Sequence, residues 1–139
     1  MMVPGEPMTT GLRDGVLVYA SDLETMARFY EQVLGMTVRA GDAAHSVLSA
    51  PGAVAGSELV IHAIPAHIAA TFTIRVPPEP REEQAFKPLF TVTDLTVAEQ
   101  RATALGGCVL GERWDGPGYR ARNVCDPEGN ISQLRELRV

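Results

Sequence analysis

Residues Gly15 to Met36 read GVLVYASDLETMARFYEQVLGM, and residues Pro88 to Cys108 read PLFTVTDLTVAEQRATALGGC. Aligned on Asp22 and Asp94, both stretches run the same course: an apolar strand-like segment, an Asp-Leu pair, an amphipathic helix, and a Gly that ends it. One supersecondary unit used twice in a chain leaves this signature. The repetition predicts a cleft between the copies.

Within the first copy, Asp22 is a good N-cap, because its carboxylate can accept orphan N–H groups of the first turn, and Glu24 adds negative charge at the positive end of the helix. Leu23, Met26, Ala27, Tyr30, Val33 and Leu34 recur at helical spacing and form an apolar stripe, with Phe29 at its edge. Gly35 supplies a left-handed C-cap. Strands are expected at about 36–40, 44–49 and 57–64, separated by Gly41-Asp42 and the turn-rich PGAVAG of residues 51–56.

A long connector, Pro65 to Ala85, begins with AHIAATFTIRV, a short helix followed by an extended segment, and continues through VPPEPREE, a surface linker. In the second copy a strand over 88–93 leads to the N-cap Asp94 and a helix to about Leu105, with Leu95, Ala98, Ala102 and Leu105 as its buried stripe. Strands at about 107–112, 119–125 and 131–137 complete it, and DPEGN, Asp126 to Asn130, is a turn between the last two. Each unit therefore reads β-α-β-β-β, which gives a sheet with one helical face and one bare face. The expected fold class is α+β, with two such units forming curved mixed sheets around a shared cleft. Residues 1–14 read as a flexible tail and 15–139 as a single domain, with units at about 15–65 and 86–139.

Composition narrows the function. A chain of 139 residues, 45% hydrophobic, fits one core, and a net charge of −5 opposes nucleic-acid binding, which needs clustered Lys and Arg. No segment has the roughly 18 uninterrupted apolar residues of a membrane span, and the start lacks a basic, apolar leader, so a cytoplasmic location is expected. Cys108 and Cys125 have neither disulfide-scaffold density nor CxxC spacing and read as small buried apolar residues.

The order of elements, the Asp-Leu-x5-Phe-Tyr-x3-Leu-Gly pattern and the DPEGN turn before the last strand together resemble the vicinal oxygen chelate superfamily of glyoxalase I, extradiol dioxygenases and bleomycin-resistance proteins. That resemblance implies a homodimer and a small-molecule site. It also implies where a metal would be held, by donors on the first and last strand of each unit. Counted from Asp22 and Asp94, those positions fall at Gly15, at Val60 or (with a register shift) Glu58, at Lys87, and at Gln133. A divalent ion needs three or four converging donors, so no metal and no other cofactor is expected.

Four residues are candidate ligand contacts: His62, Gln133, Trp114 and Arg122. His62 shares strand parity with Val60 and Glu58, which places it on the cavity side, with Leu59 and Ile61 beneath the helices. It reads either as a hydrogen-bonding or acid/base group or as a satisfied, partly buried histidine. Trp114, between Arg113 and the turn Asp115 to Gly118, can stack on a planar ligand or pack at a subunit rim. Arg120 and Arg122 share a strand face and read as carboxylate or phosphate contacts or as exposed strand residues. His45, at a turn-to-strand boundary, reads as a surface residue, and His67 as a residue that caps or lines the connector. These features favour metal-independent binding of a small organic molecule, as in bleomycin-resistance sequestration. The alternative is a lyase, isomerase or dioxygenase-type enzyme in which His62 is the general base and Arg122 or Gln133 stabilises negative charge. A third reading is an interaction module without a ligand.

Overall fold

The computed structural model describes residues 13–49 and 57–138, so most of the expected tail and the PGAVAG turn lie outside the described residues. The first unit contains β1 (Asp14–Ala20), α1 (Leu23–Leu34), β2 (Thr37–Gly41), β3 (His45–Ser49) and β4 (Ser57–Ala63). A short helix, α2 (Ala66–Ala69), opens the connector, which continues without a strand to the second unit. That unit contains β5 (Leu89–Val92), α3 (Leu95–Ala104), β6 (Cys108–Gly116), β7 (Tyr119–Cys125) and β8 (Ile131–Leu137).

Each unit makes its own four-stranded sheet, in the orders β1-β4-β3-β2 and β5-β8-β7-β6. The first strand of each runs parallel to the last, and the other pairs are antiparallel. A parallel pair needs a crossover, and here the helix provides it while covering one face of its sheet. The two sheets remain separate and are not closed on one another. Helix packing joins the units instead. Met26, Phe29, Tyr30 and Val33 of α1 share one core with Ala98 and Ala102 of α3, with Leu59 and Ile61 of β4, and with Leu134 of β8.

Both helices begin as the sequence requires. Asp22 accepts the Thr25 N–H at 3.1 Å and Asp94 accepts the Val97 N–H at 3.0 Å, each from an extended backbone. Gly35 ends α1 at φ 66°, in the left-handed region where a Cβ is costly. Phe29, expected at the edge of the stripe, is fully buried. The small Ala98 and Ala102 let α3 approach α1, and a Cβ on Gly107 would collide with the Phe29 ring and the Cys125 carbonyl. Period-two alternation holds on β4: Leu59 and Ile61 are buried in the core, while Glu58, Val60 and His62 are on the uncovered face.

The two cysteines, read as small buried apolar residues, depart from that expectation in being bonded, although Cys125 is fully buried. Cys108 and Cys125 are joined in a disulfide, directly opposite each other on β6 and β7 with Cα atoms 5.1 Å apart. Their separation of 17 residues carries no signal, because the register of the two strands brings them together.

Candidate functional site

A cleft of 1190 Å³ opens between β1, the connector and the turn that leads into β8. The connector, expected as a surface linker, is one of its walls. Gln84 docks it by mimicking a strand partner: its side-chain N–H donates to the Ile131 carbonyl at 2.8 Å and its side-chain oxygen accepts the Ile131 N–H at 2.9 Å. Arg81 donates its backbone N–H to the Gly129 carbonyl and its Nε–H to the Glu128 carbonyl, at 2.9 and 3.0 Å. The close approach needs a glycine. Gly129 has φ 90°, and a Cβ there would collide with the Glu79 carbonyl.

The DPEGN turn is the hub of the site. The buried Glu128 carboxylate accepts N–H groups from Ser21 and Asp22 at 2.9–3.0 Å, so the second unit caps the first helix of the other. Negative charge is favourable at that helix end. Asp126, also buried, accepts the Tyr30 hydroxyl at 2.6 Å, the Glu128 and Asn130 backbone N–H groups, and the Asn130 amide. Burial pushes the Asp126 carboxyl up despite these donors. Burial and then the neighbouring Asp126 charge hold Tyr30 well above its ordinary value, so it stays a neutral donor at pH 7. Tyr30 and Ser132 form the cleft's inner wall, and Leu17, Tyr19, Phe72 and Phe86 add apolar surface. Arg75, Arg81, Glu79, Glu82 and Glu83 supply both signs of charge along the connector wall.

None of the four residues named from sequence lines this cleft. His62 lies on the uncovered face of the first sheet, opposite His45 across the ladder, with ring centres 4.4 Å apart and Tyr19 at 5.8 Å. His62 Nδ1 is 2.7 Å from the Ala63 carbonyl, which can only accept, so Nδ1 donates to it. Gln133 occupies the uncovered face of the second sheet, where its side-chain oxygen accepts Arg135 Nε–H at 2.6 Å. Arg135 in turn stacks 4.3 Å over the Tyr119 ring. Trp114 shares that face, opposite Ala121 and just past an irregularity in β6, which runs on to Gly116 where the sequence suggested a turn.

Arg122, read as a ligand contact or an exposed strand residue, is partly buried and hydrogen-bonded within the chain. It is on the helix side, where it donates to Glu99 at 2.8 Å, to the Leu110 carbonyl at 3.2 Å and to the Gly111 carbonyl at 2.6 Å. Arg113 also pairs with Glu99 and donates to Thr96 at 2.8 Å. Two guanidinium groups thus compensate the charge of a nearly buried Glu99, and their role is to hold the β6 irregularity against α3.

The family's metal positions do not fit an ion. Gly15 sits opposite Glu58, and a Cβ there would collide with the Glu58 carbonyl, so a ligating side chain has no room at that position. Lys87 precedes β5, and it is Leu89 that faces Gln133. Glu58 and the already bonded Gln133 are the remaining donors, and among the described residues no three His, Cys, Asp or Glu side chains converge. No helix among the described residues is long and apolar enough to cross a membrane.

The signal for the cleft was present but faint. Phe72 and Phe86 are aromatic residues in a stretch otherwise rich in Pro, Glu and Arg, a composition that reads as a linker. Gln84 and Gly129 gave no local hint, since their roles depend on contact between distant segments.

Comparison with known proteins accords with this architecture. A crystal structure of a glyoxalase/bleomycin resistance protein/dioxygenase family enzyme from Burkholderia phytofirmans PsJN superposes with a TM-score of 0.65 at 18% identity, covering 89% of this chain and 97% of that one. A glyoxalase/bleomycin resistance protein from Albidiferax ferrireducens T118 gives 0.63 at 16% identity, over 89% and 97% of the two chains. A bleomycin resistance determinant encoded on the transposon Tn5 gives 0.52 at 17% identity, over 91% and 98%. At such identities the likeness is one of fold. No curated protein matches the sequence. The model of the glyoxalase-like domain, however, matches residues 15–134, and with that span of match the chain belongs to the glyoxalase-like domain family of the vicinal oxygen chelate superfamily.

Proposed function

We propose that the chain binds a small, partly aromatic or amphipathic organic molecule in the cleft between β1 and the connector, without a metal at the family's strand positions. The cleft itself carries this reading. Its 1190 Å³ is slightly above the roughly 300–1,000 Å³ of ligand pockets, and it combines apolar walls with a few polar groups in the way such pockets do. Tyr19 and Phe86 can flank a planar group, while Arg81 and Glu82 answer polar substituents. One neighbour in fold is named a bleomycin resistance determinant, and binding alone would suffice for a sequestering role of that kind.

His62 joins the reading through Tyr19, which touches both the cleft and the histidine face. Gln133 and Trp114 are contacts on the second sheet's open face, for a ligand or for a second copy of the chain. Leu17, Tyr19, Leu89 and Leu137 are at least half exposed on the two open faces, and we assign them to an isologous homodimer in the cytoplasm. Light scattering at micromolar concentration tests the dimer, which a single-chain mass would refute.

A second reading, an enzyme with His62 as general base, is favoured by the way the Ala63 carbonyl orients the ring through Nδ1 and leaves Nε2 pointing away from that bond. A thermal-shift screen of aromatic and amphipathic molecules, run with chelator and then with divalent ions, separates the two. Stabilisation in chelator without turnover supports binding. Turnover that is lost in His62→Ala supports the enzyme, and no stabilisation by any compound contradicts the binding reading.

A further inference from the structure

Four consecutive residues of β1, Val16 to Tyr19, line the cleft. Side chains of a strand alternate between its two faces, so consecutive residues share one wall where the strand is met edge-on. That edge is open: among the described residues β1 pairs with β4 alone. Two hydrogen bonds fix which main-chain groups it presents. The Ala20 carbonyl accepts the Ile64 N–H just beyond β4, so Val16, Val18 and Ala20 turn their polar groups towards that strand. The Ser21 N–H points the other way, to Glu128, itself a cleft residue. Alternation therefore directs the N–H and C=O groups of Leu17 and Tyr19 into the cleft, with like groups about 6.5 to 7 Å apart.

An exposed apolar edge of this kind is usually blunted by a charge, a proline or a bulge. After Asp14, β1 reads GVLVYA and has none of these. The facing wall cannot pair in the same way. Pro88 has no N–H and its carbonyl accepts the Gln133 N–H, while both main-chain groups of Ile131 are held by Gln84. Charge adds a direction. Arg75 pairs with Glu79 at 3.3 Å and Arg81 holds the Glu128 carbonyl, whereas Glu82 and Glu83 make no ion pair among the described residues. We propose that the ligand of the cleft is a short cationic peptide, held extended along β1 by main-chain hydrogen bonds to Leu17 and Tyr19, with its positive charge towards Glu82 and Glu83. Strand addition of this kind draws affinity from the main chain and selectivity from alternate side chains, for which Tyr19, Phe72 and Phe86 offer apolar surface. The proposal rests on the cleft reading above and narrows its amphipathic molecule to one chemical class.

The test uses the full chain in chelator and begins with amide hydrogen exchange before any ligand is added. Val16 and Val18, bonded to β4, should exchange slowly, and Leu17 and Tyr19 fast. The amidated peptide lysyl-valyl-phenylalanyl-valinamide should then slow Leu17 and Tyr19 and leave Val16 and Val18 as they were. Alternate N–H groups of an extended peptide face β1, so methylating its phenylalanyl nitrogen and methylating its two valyl nitrogens should give Kd values about tenfold or more apart. Leu17→Pro removes a cleft-facing N–H and no bond to β4, and should fold and lose the peptide. Slow exchange of Leu17 and Tyr19 in the free chain would show the edge already covered, by a second copy if protection grows with protein concentration, and would overturn the proposal. Equal tolerance of the two methylation patterns, or unchanged binding by a folded Leu17→Pro, would overturn it too. If the peptide does not bind while the non-peptide aromatic molecules of the thermal-shift screen still shift the cleft, the peptide class falls and the cleft reading stands. If neither binds, both fall.

Discussion

The two units share a frame and differ in almost everything mounted on it. Both place an Asp N-cap after the first strand and a helix over one sheet face, and both pair the first strand in parallel with the last. Their uncovered faces have diverged: the first carries His45, His62 and Tyr19, and the second carries Gln133, Trp114 and Arg135 stacked on Tyr119. Support for the helices diverges too. The start of α3 is braced from within its own unit, where Glu136 accepts the Leu95 N–H at 2.8 Å, while the start of α1 is braced by Glu128 of the other unit. Duplication thus preserves what backbone hydrogen bonding and burial require, and leaves the open faces and the inter-unit contacts free to acquire chemistry.

The largest expected effect tests the shared frame. Ile61 on β4 and Leu134 on β8 are fully buried in the common core. Ile61→Ala and Leu134→Ala should each cost about 2–5 kcal/mol in denaturant unfolding, as buried cavity-forming changes do. His62→Ala, on the opposite face of the same strand, should cost little. An inert Ile61→Ala paired with an unfolded His62→Ala would put β4 one residue out of register.

Next in size is the asymmetry of the braces. Glu128→Ala removes a buried carboxylate that accepts the Ser21 and Asp22 N–H groups, and about 1–3 kcal/mol should be lost with those charge-assisted bonds. Glu136→Ala removes a single backbone partner, the Leu95 N–H, where Glu128 holds two, and should cost less. Equal losses would remove the distinction between inter-unit and intra-unit support.

A smaller effect concerns Asp126 and Tyr30, and its sign follows from linkage. Because the folded-state pKa of Asp126 is raised, its contribution to stability is fully present below the unfolded carboxyl value and is lost as pH rises through the folded one. The Tyr30 hydroxyl favours the charged form, so Tyr30→Phe should raise the Asp126 pKa further. At pH 7, where the carboxylate must be ionised without that donor, Tyr30→Phe should cost about 1.5–3 kcal/mol, and the deficit should narrow as pH falls and the carboxyl protonates. Carboxyl NMR titration and unfolding at several pH values check both parts. A deficit that grows towards acid would contradict the assignment.

The frame was legible in the sequence because local physics writes it there. Asp22, Gly35 and Asp94 announce helix ends, and the alternation from Glu58 to His62 announces which side chains face the core. The cleft was much less legible. Gln84 docking on Ile131, Gly129 admitting the Glu79 carbonyl, and Cys108 meeting Cys125 depend on segments far apart in the chain. The pairing of Arg122 was hidden for the same reason, since its parity was visible but its partner, Glu99, is on a helix packed across the sheet.

The central claim is that the cleft between β1 and the connector receives an organic ligand without a metal. Its most direct test is amide NMR mapping of the full chain in chelator with aromatic and amphipathic small molecules. The account predicts saturable shifts concentrated at Tyr19, Phe72, Gln84 and Ile131, weakened when Gly129→Ala displaces the connector. Shifts confined to other surfaces, or shifts at the cleft that appear only when a divalent ion replaces the chelator, would contradict it.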